Sequence, residues 1–175
     1  MNAGAMTLQD LRNETFFERN AWKVFTGLSL IVVLFGVGDV LSGGLTFQTG
    51  EDVLFNSLSG TTWGELNATA PGPANLIDYQ VRAGGAYLLM IGLLSLSITL
   101  TALRRGDRWA WYAMWVWPLG ILLIEAQLLS SVRTLGSGIP VPVISGTIFI
   151  IVSVVTLAIS YRKYLRKASP GNLKA

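Results

Sequence analysis

Four long apolar stretches, almost without charge, decide what this chain can fold into. A helix needs about 20 apolar residues to cross the hydrocarbon of a bilayer, and each stretch has that length. Only 13% of all residues are charged, whereas soluble domains average about 25%. In lipid only helices and closed barrels satisfy their backbone, and these stretches lack the alternation of barrel strands. The sequence therefore predicts an all-α fold, a transmembrane four-helix bundle, with spans at about 22–41, 79–103, 109–132 and 141–161.

The remaining residues form two ends and one large loop. We expect a cytoplasmic or interfacial N-terminal segment at 1–21, the membrane domain at 22–161 and a basic cytoplasmic tail at 162–175. Thr7 and Asp10 indicate that a short helix begins within the first of these segments. The large loop covers 42–76, on the outer side of the predicted bundle.

The loop carries signals for short helices. Gly60 is a helix stop, and Thr62 and Glu65 have the spacing of a capping box. Aromatic residues in the loop favour helices that rest on the outer membrane interface. Asn75 and Asp78 are then expected to cap the second span.

The basic residues predict the orientation. Eleven of the 13 Lys and Arg residues fall on one side of the predicted spans, and only Arg82 and Arg133 fall on the other. The positive-inside rule places the richer side in the cytoplasm. We therefore expect a multi-pass protein of the cell (inner) membrane with both ends cytoplasmic.

Missing residue types exclude several kinds of chemistry. The chain has no Cys and no His, which excludes disulfides, thiol redox sites, zinc thiolate sites and His-ligated haem. Phosphate loops, paired metal-ligand motifs and nucleophile elbows are absent from the sequence. We predict no cofactor and no metal. Nucleic acid is not an expected partner, because no domain-sized basic face exists outside the spans.

Polar residues at membrane depth are the main functional candidates. Asp39, Arg82, Glu125 and Gln127 are all predicted in one zone of the outer half of the bilayer. Ions there are costly, so Arg82 is expected to neutralise Asp39, Glu125 or both. Three interpretations stay open. The group is an ion pair that sets helix register, a site for a ligand or proton, or a set in which Asp39 and Arg82 reach the membrane interface and leave Glu125 alone.

The third stretch carries a second candidate. Trp115 and Trp117 lie deeper than an interfacial aromatic belt, so they either pack in the bundle or form a wall for a flat lipid-like ligand. Pro118 predicts a kink that frees a carbonyl near Met114. Glycines in the first two stretches, at positions such as 36, 85 and 92, favour close helix packing.

Two short motifs suggest a family. Tyr79-x-x-Arg82-x-x-Gly85 enters the second span, and Arg105-Gly-Asp-Arg-Trp-Ala-Trp111 enters the third. With four spans and both ends inside, residues 22–161 resemble the small bacterial four-helix membrane proteins of the DoxX-like kind. The resemblance implies a membrane-embedded accessory role and supplies no catalytic residues. The long outer loop and the absence of His and Cys set this chain apart from redox-linked relatives.

Three functions fit these patterns. The first is a non-enzymatic membrane protein that binds a lipid-like ligand or serves as an accessory subunit of a membrane complex, with a polar site of Asp39, Arg82 and Glu125. The second is a small proton-coupled transporter that uses Glu125. The third is a membrane enzyme acting on a lipid. The first is preferred, because no second deep acid or base is evident. Expected partners are the lipid membrane, a lipid-like ligand or membrane protein, and further copies of this chain.

Overall fold

The computed structural model describes residues 16–49, 52–133 and 141–165, and each regular element in these ranges is helical. A 3-10 turn, Gly43–Leu45, follows the first helix, and a π-helical turn, Thr99–Leu103, ends the fifth. The predicted all-α fold is confirmed. The predicted helix near Thr7 lies outside the described residues. The α-helices are α1 (Phe16–Ser42), α2 (Thr46–Thr49), α3 (Asp52–Ser59), α4 (Trp63–Thr69), α5 (Pro71–Ile98), α6 (Arg108–Ala113), α7 (Val116–Arg133) and α8 (Val141–Leu165).

Four helical segments are long and apolar enough to cross a membrane, as predicted. We call them the first to fourth spans. Their bounds are Arg19–Gln48, Pro71–Leu103, Arg108–Ser130 and Val143–Leu165.

The second span begins earlier than predicted. Proline at the first helical position has no N–H to leave unpaired and already has a helical φ, so Pro71 starts α5. Asn75 and Asp78 therefore lie inside the helix, and the prediction that they cap it is wrong.

The spans run antiparallel and share two ends. The Arg104 guanidinium lies 5.2 Å from the centre of the Trp22 ring. Arg108 donates hydrogen bonds to the carbonyls of Tyr164 and Leu165, at 3.2 and 2.9 Å. These contacts bring together the start of the first span, the turn at 104–108 and the end of the fourth span. We call this the basic end, and the opposite end, where residues 43–70 connect two spans, the loop end.

The first and second spans touch through backbone. A Cβ on Gly36 would lie 2.5 Å from the Leu89 nitrogen and 2.8 Å from the Gly85 carbonyl oxygen. A Cβ on Gly92 would lie 2.8 Å from the Val33 side chain. The predicted role of these glycines in helix packing is confirmed, because any side chain would push the spans apart.

The regular helix of the third span is interrupted where Pro118 removes a hydrogen bond. Pro118 has no N–H for the Met114 carbonyl, which accepts instead from the Trp117 nitrogen at 3.3 Å. The Trp115 nitrogen likewise bonds to the Tyr112 carbonyl, three residues back, at 3.1 Å. The helix is therefore interrupted around Met114, between α6 and α7. The expected free carbonyl at Met114 is wrong, because the Trp117 nitrogen bonds to it.

Short helices cover the loop end. Gly60 ends α3 with φ +71°, and Thr62 and Glu65 form the predicted capping box at the start of α4. The rings of Phe47, Phe55 and Trp63 pack with centroids 4.8 to 5.7 Å apart. This aromatic cluster ties the short helices together over the spans.

Candidate functional site

The structure separates the polar residues that the sequence placed in one zone. Arg82 pairs with Asp78, one turn earlier on the same helix, at 2.8 Å. Its guanidinium also donates hydrogen bonds to the carbonyls of Val40 and Leu41, at 2.7 and 3.2 Å. The expected pairing of Arg82 with Asp39 or Glu125 is wrong. The carbonyl end of a helix attracts a cation, and α1 ends beside Arg82.

Asp78 completes this junction between the first two spans. Its Oδ1 accepts a hydrogen bond from the Gly44 nitrogen at 2.7 Å, while Oδ2 holds Arg82. Gly43, with φ +54°, turns the chain at this point, and a Cβ there would collide with the Asp78 carboxylate. Asp78 and Arg82 therefore hold together the end of the first span and the start of the second.

Asp39 lies at the edge of a surface groove on the first span. Its Cβ packs against Gly85 of the second span, and the residue is half-buried. Within the described part of the chain, its carboxylate has neither a hydrogen bond nor an ion pair. The groove has a volume of about 440 Å³ and is lined by Ile31, Leu34, Phe35, Gly38, Asp39, Ser42 and Thr46.

Glu125 lies in a different contact, between the third and fourth spans. Gly146 and Ile121 surround its carboxylate, and the residue is 8% exposed. The Thr147 hydroxyl donates to Oε2 at 3.4 Å, which is a long hydrogen bond. Oε1 is buried and has no partner among the described residues. Since an ion in lipid costs about 2.5–3.5 kcal/mol even on the lenient insertion scale, burial against a neighbouring helix keeps this carboxyl away from acyl chains.

The other predicted site residues do not join Glu125 or Asp39 in a common site. Gln127 follows Glu125 by two residues, about 200° around the helix, and is exposed. Trp117 is buried and packs against Phe149 of the fourth span, with ring centroids 5.6 Å apart. Trp115 is half-buried and contacts the Trp111 ring. Both tryptophans pack in the bundle, which favours the first of their two interpretations.

A second groove, which the sequence analysis did not identify, lies between the first and fourth spans near the basic end. It has a volume of about 630 Å³. The sequence does carry a sign of this groove. Positions 151, 152, 155, 156 and 159 all hold β-branched residues, which fall on one face of the fourth span, and Lys23 lies near the start of the first span. The groove is lined by Asn20, Lys23, Val24, Ile151, Val152, Val155, Thr156 and Ile159. We call it the basic-end groove.

Lys23 gives this groove a positive charge on the side nearest the basic end, which we call its mouth. Lys23 is exposed and lines the groove, and its Nζ lies 5.7 Å from the centre of the Trp22 ring. Arg104 lies over the same ring. The two cations therefore flank one indole at the basic end, while the groove wall on the fourth span is aliphatic except for Thr156. The hydroxyl of Thr156 is already bonded to the Val152 carbonyl, at 2.7 Å.

Comparisons with known proteins leave the function open. No protein-family model, curated protein or solved structure matches the chain. The likeness to DoxX-like proteins therefore stays a prediction. In the described part of the chain, no three Asp or Glu residues come together in a group that could hold a metal ion.

Proposed function

We propose that this chain is a non-enzymatic multi-pass membrane protein that binds an anionic lipid-like ligand in the basic-end groove. The observation that carries the proposal is the combination of an aliphatic groove between two spans with Lys23 at its mouth. The proposal keeps the ligand class expected from the sequence, but it moves the site from the outer polar zone to the basic end.

The shape of the groove suits an acyl chain. From Ile159 to Ile151 the fourth span supplies one wall over eight residues, or about 12 Å at 1.5 Å per residue. The volume of about 630 Å³ falls within the range of about 300–1,000 Å³ that is usual for small-molecule sites. The wall points from the basic end toward the middle of the span, which is the direction that a lipid tail takes from its headgroup.

The charge at the mouth selects the headgroup. By the positive-inside rule, the basic end faces the cytoplasm in the proposed orientation. The cytoplasmic leaflet carries anionic lipids, and each nearby Lys or Arg contributes about 1 kcal/mol to their attraction. Lys23 is therefore proposed to contact a phosphate, with Arg104 adding to the local positive potential.

Native mass spectrometry with defined lipids tests the proposal. The purified protein in mild detergent is offered phosphatidylglycerol or phosphatidylcholine, which differ in net charge. We expect preferential retention of phosphatidylglycerol, and Lys23→Gln should lower its affinity about fivefold. Lys163→Gln is the matched control, because Lys163 belongs to the same end of the bundle and does not line the groove.

A second pair of variants tests the groove itself. Val155→Trp should fill the groove and reduce retention of both lipids. Ile148→Trp places the same ring at an exposed position of the same span that does not line the groove, and it should leave retention unchanged. Equal loss in both tryptophan variants, or equal loss in both lysine variants, would refute the proposed site.

A further inference from the structure

The first span has a second face, at the loop end, that no described residue covers. Gly36 faces inward, since a Cβ built on it would meet backbone atoms of Gly85 and Leu89 in the second span. Gly38 is two residues further and about 200° around the helix, and a Cβ built on it would point into open space. Leu34 and Phe35 on the same side are 70% and 64% exposed. We call the groove-lining set of Ile31, Leu34, Phe35, Gly38, Asp39, Ser42 and Thr46 the Asp39 face.

Asp39 determines which chemical group of another molecule this face would favour. It follows Lys23 by 16 residues, about 24 Å along the helix, so it belongs to the loop-end half of the span. Asp39 lines the groove, and its carboxylate lacks a hydrogen bond and an ion pair in the described part of the chain. The cation nearest in sequence on the second span, Arg82, is already held by Asp78 and by the carbonyl end of α1. A carboxylate at this depth favours a donor or cation brought by another molecule.

We propose that the Asp39 face binds a transmembrane helix of a partner protein that carries a lysine or arginine at the depth of Asp39. The open backbone at Gly38 lets another helix approach closely, and Leu34 and Phe35 supply the apolar contact around the polar pair. This interaction goes beyond lipid binding and does not depend on it, since the Asp39 face and the basic-end groove lie at opposite ends of the bundle.

The other occupants fit the face less well. Acyl chains cover apolar side chains but offer no donor to the Asp39 carboxylate. A second copy packed symmetrically would bring Asp39 against Asp39, which places like charges together. A partner with a basic residue satisfies both the apolar surface and the carboxylate.

Energy transfer in liposomes tests the proposal with synthetic single-span peptides. The acceptor-labelled peptides are rich in Leu and Ala and identical except at one position, at the depth of Asp39, which holds Lys or Leu. The donor label is on the full chain. We expect the Lys peptide to associate about 3- to 30-fold more strongly than the Leu peptide, the range measured for polar contacts between membrane helices. Equal association of the two peptides overturns the proposal, and this comparison needs no protein variant.

Variants then locate the contact. Asp39→Asn should remove the preference for the Lys peptide. Gly38→Leu should weaken binding of that peptide, whereas Gly27→Leu is the matched control, because Gly27 is an equally open glycine of the same helix outside the Asp39 face. A preference for Lys that persists in Asp39→Asn overturns the proposal. Self-association of the chain through the Asp39 face also overturns the proposal if Asp39→Asn leaves it unchanged, because the occupant of the face would then be a second copy.

Discussion

Gly146 of the fourth span lies directly against the carboxylate of Glu125 in the third, and a methyl group on Gly146 would collide with Oε1. The contact needs a glycine, since the carboxyl occupies the space of the missing side chain. Thr147, the next residue, reaches Oε2 with its hydroxyl. The space left by Gly146 thus accommodates the Glu125 carboxyl between the third and fourth spans.

Replacing Glu125 tests what this carboxyl does for stability. Glu125→Gln keeps the shape and the acceptor for Thr147 but puts an amide that cannot carry a charge in place of the carboxyl, so we expect the free energy of unfolding to stay equal or to rise by up to about 3 kcal/mol. Gly146→Ala should lower it by about 1–3 kcal/mol through overpacking. Reversible unfolding of the purified protein in mixed micelles measures both. A clear loss of stability in Glu125→Gln would contradict this account and indicate that the charge itself holds the helices.

The contact between the first and second spans predicts a strong effect at Gly36. In Gly36→Ala the new methyl would meet backbone atoms of Gly85 and Leu89 at 2.5 to 2.9 Å. Backbone cannot rotate away as a side chain can, so the spans must separate, with an expected loss of about 1–3 kcal/mol. Gly84→Ala is the control, because a Cβ at Gly84 would point into open space. The same unfolding assay should show little change or a slight gain there. Similar losses at both positions would argue against this close contact.

The junction at Arg82 predicts a drop in thermal stability. Arg82→Gln removes the cation that binds Asp78 and the last carbonyls of α1, so Tm by tryptophan fluorescence should fall. Arg105→Gln is the control, because Arg105 approaches Asp107 only at 3.9 Å and both side chains are well exposed. An equal Tm in the two variants would show that the junction contributes no more than a surface contact.

The capping box of α4 predicts a local dependence on pH. Hydrogen bonds from the Thr62 backbone and the Thr61 hydroxyl lower the pKa of Glu65 below its ordinary value of 4.5. A lowered pKa in the folded state means that the stabilisation is complete above the ordinary value and is lost as pH falls through the folded pKa. Amide hydrogen exchange across residues 61–69 should therefore accelerate more than exchange in the spans as pH decreases through this range, after correction for the intrinsic rate.

Glu65→Gln supplies the control for that experiment. A glutamine can still accept the Thr62 N–H, but it does not titrate, so the corrected exchange rate of α4 should no longer change with pH. An unchanged pH dependence in Glu65→Gln would assign the effect to another group.

Features that depend on near neighbours in the chain were predicted from the sequence. Pro118 lacks the N–H that would bond to the Met114 carbonyl, and the helix is interrupted at that point. Thr62 and Glu65 are three residues apart, which is the reach of a capping box, and both of its hydrogen bonds form. The early start of the second span at Pro71 was missed, because Asn75 and Asp78 offered an alternative cap and the proline at the first helical position was not used as a start signal.

The candidate site depended on rotation about the helix axes. Depth along a span follows from residue number at 1.5 Å per residue, which is why Asp39, Arg82 and Glu125 were expected at one level. Which neighbour each side chain faces depends on how the helices are turned toward one another. Asp78 is one helical turn from Arg82, so this ion pair could be expected from the sequence. The hydrogen bonds from Arg82 to the carbonyls of Val40 and Leu41 form only because α1 ends beside it.

The sequence by itself determined that this chain forms four apolar helices with most of its cations at one end, because lipid requires every backbone hydrogen bond to be made within a helix and hydropathy is a local property. Only the tertiary structure decided that Arg82 also reaches the carbonyls of Val40 and Leu41, that Glu125 packs on Gly146, and that grooves open at Lys23 and at Asp39. The reason is physical. Those contacts join residues far apart in the chain, and the close approach of helices at glycines, rather than the order of residues, sets which groups meet.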